Sequence, residues 1–216
     1  MAEADSAILP ENWRPVPRAF FAESPEKVAP QLLGKLLAHH TPAGWLAGRI
    51  VELEAYLGPP ADPASHSYRG VTARNRVMFG PPGHAYVYFI YGMYFCMNVT
   101  CEPDGKAGCI LVRGLEPVLG REAMAVKRGL AETVADSRLT AGPGRLCRAL
   151  GINRPDHNGL DLLDPGSPLQ LFQDNWMAPR VEITTRIGIR EATDFPLRFS
   201  FVKHNCVSRP PKRSTM

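Results

Sequence analysis

The sequence is short of the features that mark most enzyme and scaffold classes. Its five cysteines, at positions 96, 101, 109, 147 and 206, form an odd set with no CxxC pair. Neither a disulfide framework nor a zinc knuckle fits those spacings, so reduced, mostly buried thiols are expected. Long apolar runs are missing. The longest stretch without a charged residue, 77–101, contains Pro81-Pro82-Gly83, several tyrosines and Asn98, and does not read as a membrane span. No basic segment followed by an apolar run opens the chain, so no signal peptide is expected. Also absent are a Walker loop, HExxH, GxSxG and a dinucleotide fingerprint, and the six histidines form no metal-spaced cluster. Neither a metal nor a cofactor is expected, and the chain reads as soluble, intracellular and monomeric.

What is present points to one loop-rich domain. The 216 residues are ample for a sizeable core, and 19 Gly with 21 Pro stay below the level of a low-complexity chain. Net charge is only +4, but it is unevenly spread. From Phe195 onward there are Arg198, Lys203, Arg209, Lys212 and Arg213 with no acid, so the rest of the chain sums to −1. Between Asp62 and Glu102 acids are again missing, while Arg69, Arg74 and Arg76 cluster. Acid-free basic stretches suit contact with phosphates. A mobile arm is expected at 1–17, one domain at 18–207 and a basic tail at 208–216.

Local patterns predict the elements. Ser24 followed by Pro25 is a helix start, with Val28, Leu32 and Leu33 turned inward and a stop near Gly34. Residues 35–41 and 45–57 read as strands joined at Pro42-Ala43-Gly44. In the second of these, alternation places Val51, Leu53, Ala55 and Leu57 on one face and Ile50, Glu52, Glu54 and Tyr56 on the other. An exposed polar face is the plain reading of that second set. A long loop at 58–83 follows, of a length that is usually functional or disordered. Residues 85–98, with four of the six tyrosines, read as an aromatic hairpin bent at Gly92. A strand at 109–113 puts Cys109, Leu111 and Arg113 on one face. Helices are expected at 117–129, with Glu116 beside its first turn, and at 143–150; strands at 181–189 and 197–203 complete the list. The fold class is α+β: a curved, mainly antiparallel sheet, flanking helices and a protruding aromatic hairpin.

Aromatic side chains serve nucleic-acid proteins by stacking on bases or wedging into the minor groove, and base-acting enzymes hold an extruded base between such faces. The order of the motifs sharpens that reading. Arg49-Ile50-Val51-Glu52-Leu53-Glu54-Ala55-Tyr56, Arg74-Asn75-Arg76, Tyr86-Val87-Tyr88, Tyr91-Gly92-Met93-Tyr94, Asn98, Arg113-Gly114-Leu115-Glu116-Pro117, Gly142-Pro143-Gly144-Arg145-Leu146 and Pro196-Leu197-Arg198-Phe199 follow one another. In that order they resemble the alkyladenine (3-methyladenine) DNA glycosylase family from about Phe20 to Val207, beyond which the resemblance ends.

The resemblance implies a monofunctional glycosylase that flips damaged purines out of duplex DNA and leaves an abasic site, without cofactor. It implies that Glu54 is the general base activating the attacking water, that Arg113 helps hold that water, and that the backbone carbonyl of Ile187 is a further water ligand. Tyr56 would form one wall of the base pocket, His66 and Tyr88 the opposite wall, with Leu111 beside them. Asn98 would crowd the 2-amino group of guanine. Tyr91 would enter the minor groove with Met93 as its neighbour, and Thr72 and Arg145 would contact phosphates. Alternation alone does not choose between Glu52 and Glu54; the resemblance chooses Glu54. A non-catalytic nucleic-acid-binding module using the same hairpin is the alternative.

Overall fold

A computed structural model describes residues 9–208. Among them are nine strands: β1 (Arg14–Pro15), β2 (Leu36–Thr41), β3 (Gly44–Tyr56), β4 (Ala85–Ile90), β5 (Tyr94–Thr100), β6 (Cys109–Leu119), β7 (Leu169–Gln173), β8 (Val181–Thr184) and β9 (Arg198–Phe201). The helices are α1 (Pro25–Leu32), α2 (Arg121–Arg128), α3 (Asp136–Thr140), α4 (Pro143–Leu150) and α5 (Arg154–His157). The strands form one antiparallel sheet in the order β1-β7-β2-β3-β6-β5-β4, with β9 also pairing β3 and β8 pairing β9. The result is a single α+β domain with a curled sheet. No helix among the described residues is long and apolar enough to cross a membrane.

β3 is the axis of the fold. Its first half pairs β2, residues 52–54 pair β9 along the same edge, and β6 lies along the other. One face of the sheet, with Leu53, Ala55, Val87, Met97, Val99, Ile110 and Val112, packs against α1 and α4 to make the main core. α1 starts with Ser24 extended (ψ 146°) and Pro25 at its first position. α4 opens at Pro143, exposes Arg145 and Arg148, and buries Leu146, Cys147, Ala149 and Leu150.

Register shifts between β3 and β6 decide where the polar side chains go. From Ile50↔Leu115 to Glu52↔Gly114, β3 carries an extra residue, Val51; from there to Leu53↔Val112, β6 carries an extra residue, Arg113. Such bulges leave a residue unpaired and re-aim its side chain. The shift also places Ile50 in the main core with Val51, against the alternation read from the sequence. Glu52 and Glu54 are both fully buried, so their face is not the exposed polar surface that the plain reading expected.

Several boundaries differ from the sequence reading. The strand expected at 109–113 continues to Leu119, because Leu115, Glu116, Pro117 and Leu119 pair with β3. The helix expected at 117–129 therefore begins at Arg121, after Gly120 turns the chain with φ +71°. Glu116 sits in a strand opposite Arg49, not beside a helix start. Strand structure expected at 181–189 stops at Thr184, and that expected at 197–203 spans Arg198–Phe201. β7 was not anticipated; it joins β2 to β1. Of the arm expected at 1–17, residues 1–8 lie outside the described residues, Arg14 and Pro15 pair with β7, and Val16 is buried in the core. The expected tail at 208–216 lies outside the described residues except for Ser208, which is buried.

Candidate active site

Cross-strand register builds the polar face. Tyr86 of β4 pairs with Asn98 of β5, Asn98 with Leu111 of β6, Leu111 with Glu54 of β3, and Glu54 with Arg198 of β9. Directly opposed residues share a face and touch, so this row crosses five strands beneath one cavity. The cavity holds about 390 Å³, within the usual range for small-ligand sites. Its walls bring together Tyr56, His66, Tyr88, Asn98, Leu111, Arg113 and Ile187, with Tyr91 at its edge.

Glu54 lies immediately behind that wall. Ile187 N–H donates to its Oε1 at 2.7 Å; Tyr56 O–H and Arg113 Nη1 donate to its Oε2 at 2.9 and 3.2 Å. All three donors belong to residues that line the cavity. A carboxylate has about four acceptor positions, so one on Oε1 is left by this set. The sequence reading assigned Ile187 through its carbonyl; the contact to Glu54 is made by its N–H. Burial, reinforced by Glu54, pushes the Tyr56 hydroxyl far above its ordinary range, which keeps it a neutral donor. Burial lowers the Arg113 guanidinium, but Glu54 and Glu52 outweigh it and the net shift is upward.

Glu52 is placed differently. It accepts from Arg113 Nε at 3.0 Å, Arg198 Nε at 2.8 Å, and Ser208 N–H and O–H at 2.5 and 2.8 Å. Three of these donors meet Oε1 and one, the Ser208 N–H, meets Oε2. The two carboxylates share a face, as alternation expects, yet Glu52 is locked into an ion network in which, of its donors, only Arg113 lines the cavity.

The aromatic walls are neutral. His66 meets Tyr88 edge to face at 4.7 Å between centroids, and its Nδ1 is 3.0 Å from the Tyr86 hydroxyl. Part of His66 remains in solvent, but enclosure of the ring, with Arg74 nearby, lowers its pKa to about 4. The sign follows from linkage: the folded protein holds His66 neutral more strongly than the unfolded chain does. Its contribution to stability is present above the unfolded value of about 6.5 and is lost as pH falls through about 4. An NMR titration of the His66 ring should show a midpoint near 4; a midpoint near 6.5 would contradict this environment. Burial also raises Tyr88 far above its ordinary range.

Residues that sequence reasoning did not single out hold the pocket's loop. Asp62 takes Arg186 with both oxygens (2.6 and 2.8 Å) and caps the backbone N–H groups of Leu57 and Ala64. Arg186 in turn lies over the Tyr56 ring at 4.6 Å. The buried Asn75 donates to the carbonyls of His66 and Gly70. The signals in the sequence were Asp62, the acid that precedes the long acid-free stretch, and Asn75 within the Arg74-Asn75-Arg76 motif.

The hairpin tip stands in solvent. Tyr91 is 79% and Met93 66% exposed, and Met93 N–H donates to Ile90 O across the turn. Tyr91 and Gly92 both have positive φ, +54° and +66°; for tyrosine that is an uncommon, strained conformation. Thr72 and Arg145 are exposed as well. Thr72 borders a shallow depression with Arg69 and Arg74, and Arg145 borders a groove that shares Arg113, Pro143 and Ile187 with the cavity. Among the described residues no group of three or more His, Cys, Asp and Glu side chains could hold a metal ion.

Comparison with known proteins places the chain in a family. The family model of methylpurine-DNA glycosylase matches residues 19–205. A relative from Koribacter versatilis, provisionally named a 3-methyladenine DNA glycosylase, is 52% identical over 185 residues, covering 86% of this chain and 88% of its own. A relative of the same provisional name from Methanoculleus marisnigri is 47% identical over 201 residues, covering 90% and 98%.

Proposed function

This chain belongs to the methylpurine-DNA glycosylase family, and we propose on that premise that it extrudes alkylated purines such as 3-methyladenine, and hypoxanthine, from duplex DNA and hydrolyses their N-glycosidic bond. The observation that carries the reading is a fully buried carboxylate, Glu54, set directly behind a cavity walled by neutral aromatic rings, whose edge bears the exposed Tyr91.

The chemistry follows from those groups. A cationic alkylated purine is attracted to the faces of Tyr56 and Tyr88 by about 0.5–2 kcal/mol each, and neutral His66 adds no repulsion. As the glycosidic bond breaks, its electron pair goes to the purine and the sugar gains oxocarbenium character, as in other glycoside hydrolysis. A water at the remaining acceptor position of Glu54 bonds to C1′ and gives its proton to the carboxylate. Arg113 and Tyr56 hold Glu54 in place through the change of charge. Asn98, anchored by donation to the Tyr86 carbonyl at 3.0 Å, lines the cavity, and on this reading it crowds the 2-amino group of guanine. No lysine is among the residues lining the cavity, which favours a hydrolytic, monofunctional outcome. Thr72 and Arg145 would contact phosphates on either flank, and a monomer suffices.

The hairpin separates extrusion from stability. Tyr91→Gly removes a strained positive φ from a residue that is mostly in water, so the melting temperature should stay level or rise slightly. A side chain filling the vacated stack offsets part of an unstacking cost of a few kcal/mol, so excision from duplex DNA should slow by about tenfold or more. Melting and single-turnover excision on the same variant test this. A large fall in melting temperature with normal excision by the folded fraction would return Tyr91 to a purely structural role.

A further inference from the structure

We infer that Ser208 is a positioning residue, fixing Arg113 against Glu54 from beyond the matched family segment. The inference rests on the hydrolytic reading of Glu54. Ser208 lies past residue 205, where the family match ends, yet it is buried and touches Glu52, one of the two carboxylates paired with Arg113. Its N–H and O–H both donate to Glu52, its Oγ accepts from Arg113 Nη2 at 3.1 Å, and its carbonyl accepts from Arg198 Nη2 at 3.2 Å.

The need for such a tie comes from the sheet. Arg113 is the unpaired residue of the β6 bulge, so no residue of β3 lies opposite its side chain, and its backbone is held instead by the Gly142 N–H, which donates to its carbonyl at 2.8 Å. Its three nitrogens are held only by side chains: Nε by Glu52, Nη2 by Ser208, and Nη1 by Glu54 through the longest of the three bonds, 3.2 Å. Two carboxylates and two guanidiniums already balance in charge, so Ser208 adds nothing to neutrality. What it adds is direction: it clamps Glu52 at both oxygens and gives the outer nitrogen of Arg113 an acceptor. Without the hydroxyl, the guanidinium settles on Glu52 and its bond to Glu54 is the first to lengthen. Small displacements of a positioning group are costly in rate.

The test uses the full chain with Ser208→Ala and Ser208→Thr. Ser208→Ala should lower single-turnover base release by about tenfold while duplex affinity stays within about threefold; Ser208→Thr, which keeps the hydroxyl, should restore the rate. In an Arg113→Lys background, Ser208→Ala should cost less than about twofold more, since the effect passes through the guanidinium. Independently of activity, hydrogen exchange of the Arg113 Nη2–H groups, which lose their Ser208 acceptor, should quicken by about tenfold in Ser208→Ala when read by NMR, while the Nε–H on Glu52 keeps its rate. Unchanged exchange, a full additive loss in the Arg113→Lys background, or a folded Ser208→Thr that fails to recover would each overturn the assignment. A wild-type chain that releases no base, with Nη2–H exchange still quickened in Ser208→Ala, would instead overturn the hydrolytic reading and leave the tie intact.

Discussion

Glu54→Gln should bind lesion-bearing duplex about as tightly as the wild type and lose roughly 10²–10⁴ in the rate of base release, the usual cost of removing a general base. Binding is spared because the carboxylate is fully buried and its hydrogen bonds go to Ile187, Tyr56 and Arg113. Stability should fall modestly. The amide would set an N–H donor against either Ile187 N–H or the Tyr56 and Arg113 donors, a mismatch of about 1–3 kcal/mol. Glu52→Gln is the control. Glu52 pairs with Arg113 and Arg198 in the buried network, so its loss should destabilise the fold more and slow the folded fraction far less. If Glu52→Gln proved the more damaging change per folded molecule, the base would be Glu52.

Asp62→Ala should be among the most destabilising single changes in the chain. Both partners of the Asp62–Arg186 pair are fully buried, and breaking such a pair from one side leaves an uncompensated charge worth about 3–5 kcal/mol. For a domain of this size that is roughly 6–20 °C in melting temperature. The loss should also reach the site, because Arg186 covers the Tyr56 ring and Asp62 caps the loop leading to His66. Thermal melting checks the first effect and excision by the folded fraction the second. A change under about 1 kcal/mol would mean the pair is open to water in solution.

What was legible in the sequence was local. Period-two alternation put Glu54 and Tyr56 on one face of β3, and Gly92 within an aromatic run marked the exposed hairpin tip. The choice between Glu52 and Glu54 was not local. It depends on Arg198 and Ser208, 146 and 156 residues away from Glu52, which tie its oxygens into a buried network. The same holds for the pocket loop, where Asp62 finds Arg186 across 124 residues. Residues 117–119 suited a helix by pattern, but pairing with β3 kept them extended until Gly120 turned the chain. Nor does alternation reveal a bulge. Arg113 was read onto the face of Cys109 and Leu111, while the register shift that leaves it unpaired arises only when β3 and β6 meet.

The most direct test is a count of products from one reaction. The purified chain is incubated with duplex DNA carrying alkylated purines, and free purine is measured alongside strand breaks formed on later alkaline treatment. Hydrolysis by a water activated at Glu54 predicts one alkali-labile site for each purine released, no covalent enzyme–DNA adduct on borohydride treatment, and near-complete loss of both products in Glu54→Gln. Salt-sensitive binding of the same duplex with no purine released would contradict the account and leave the hairpin and cavity as a module that binds damaged DNA without cleaving it.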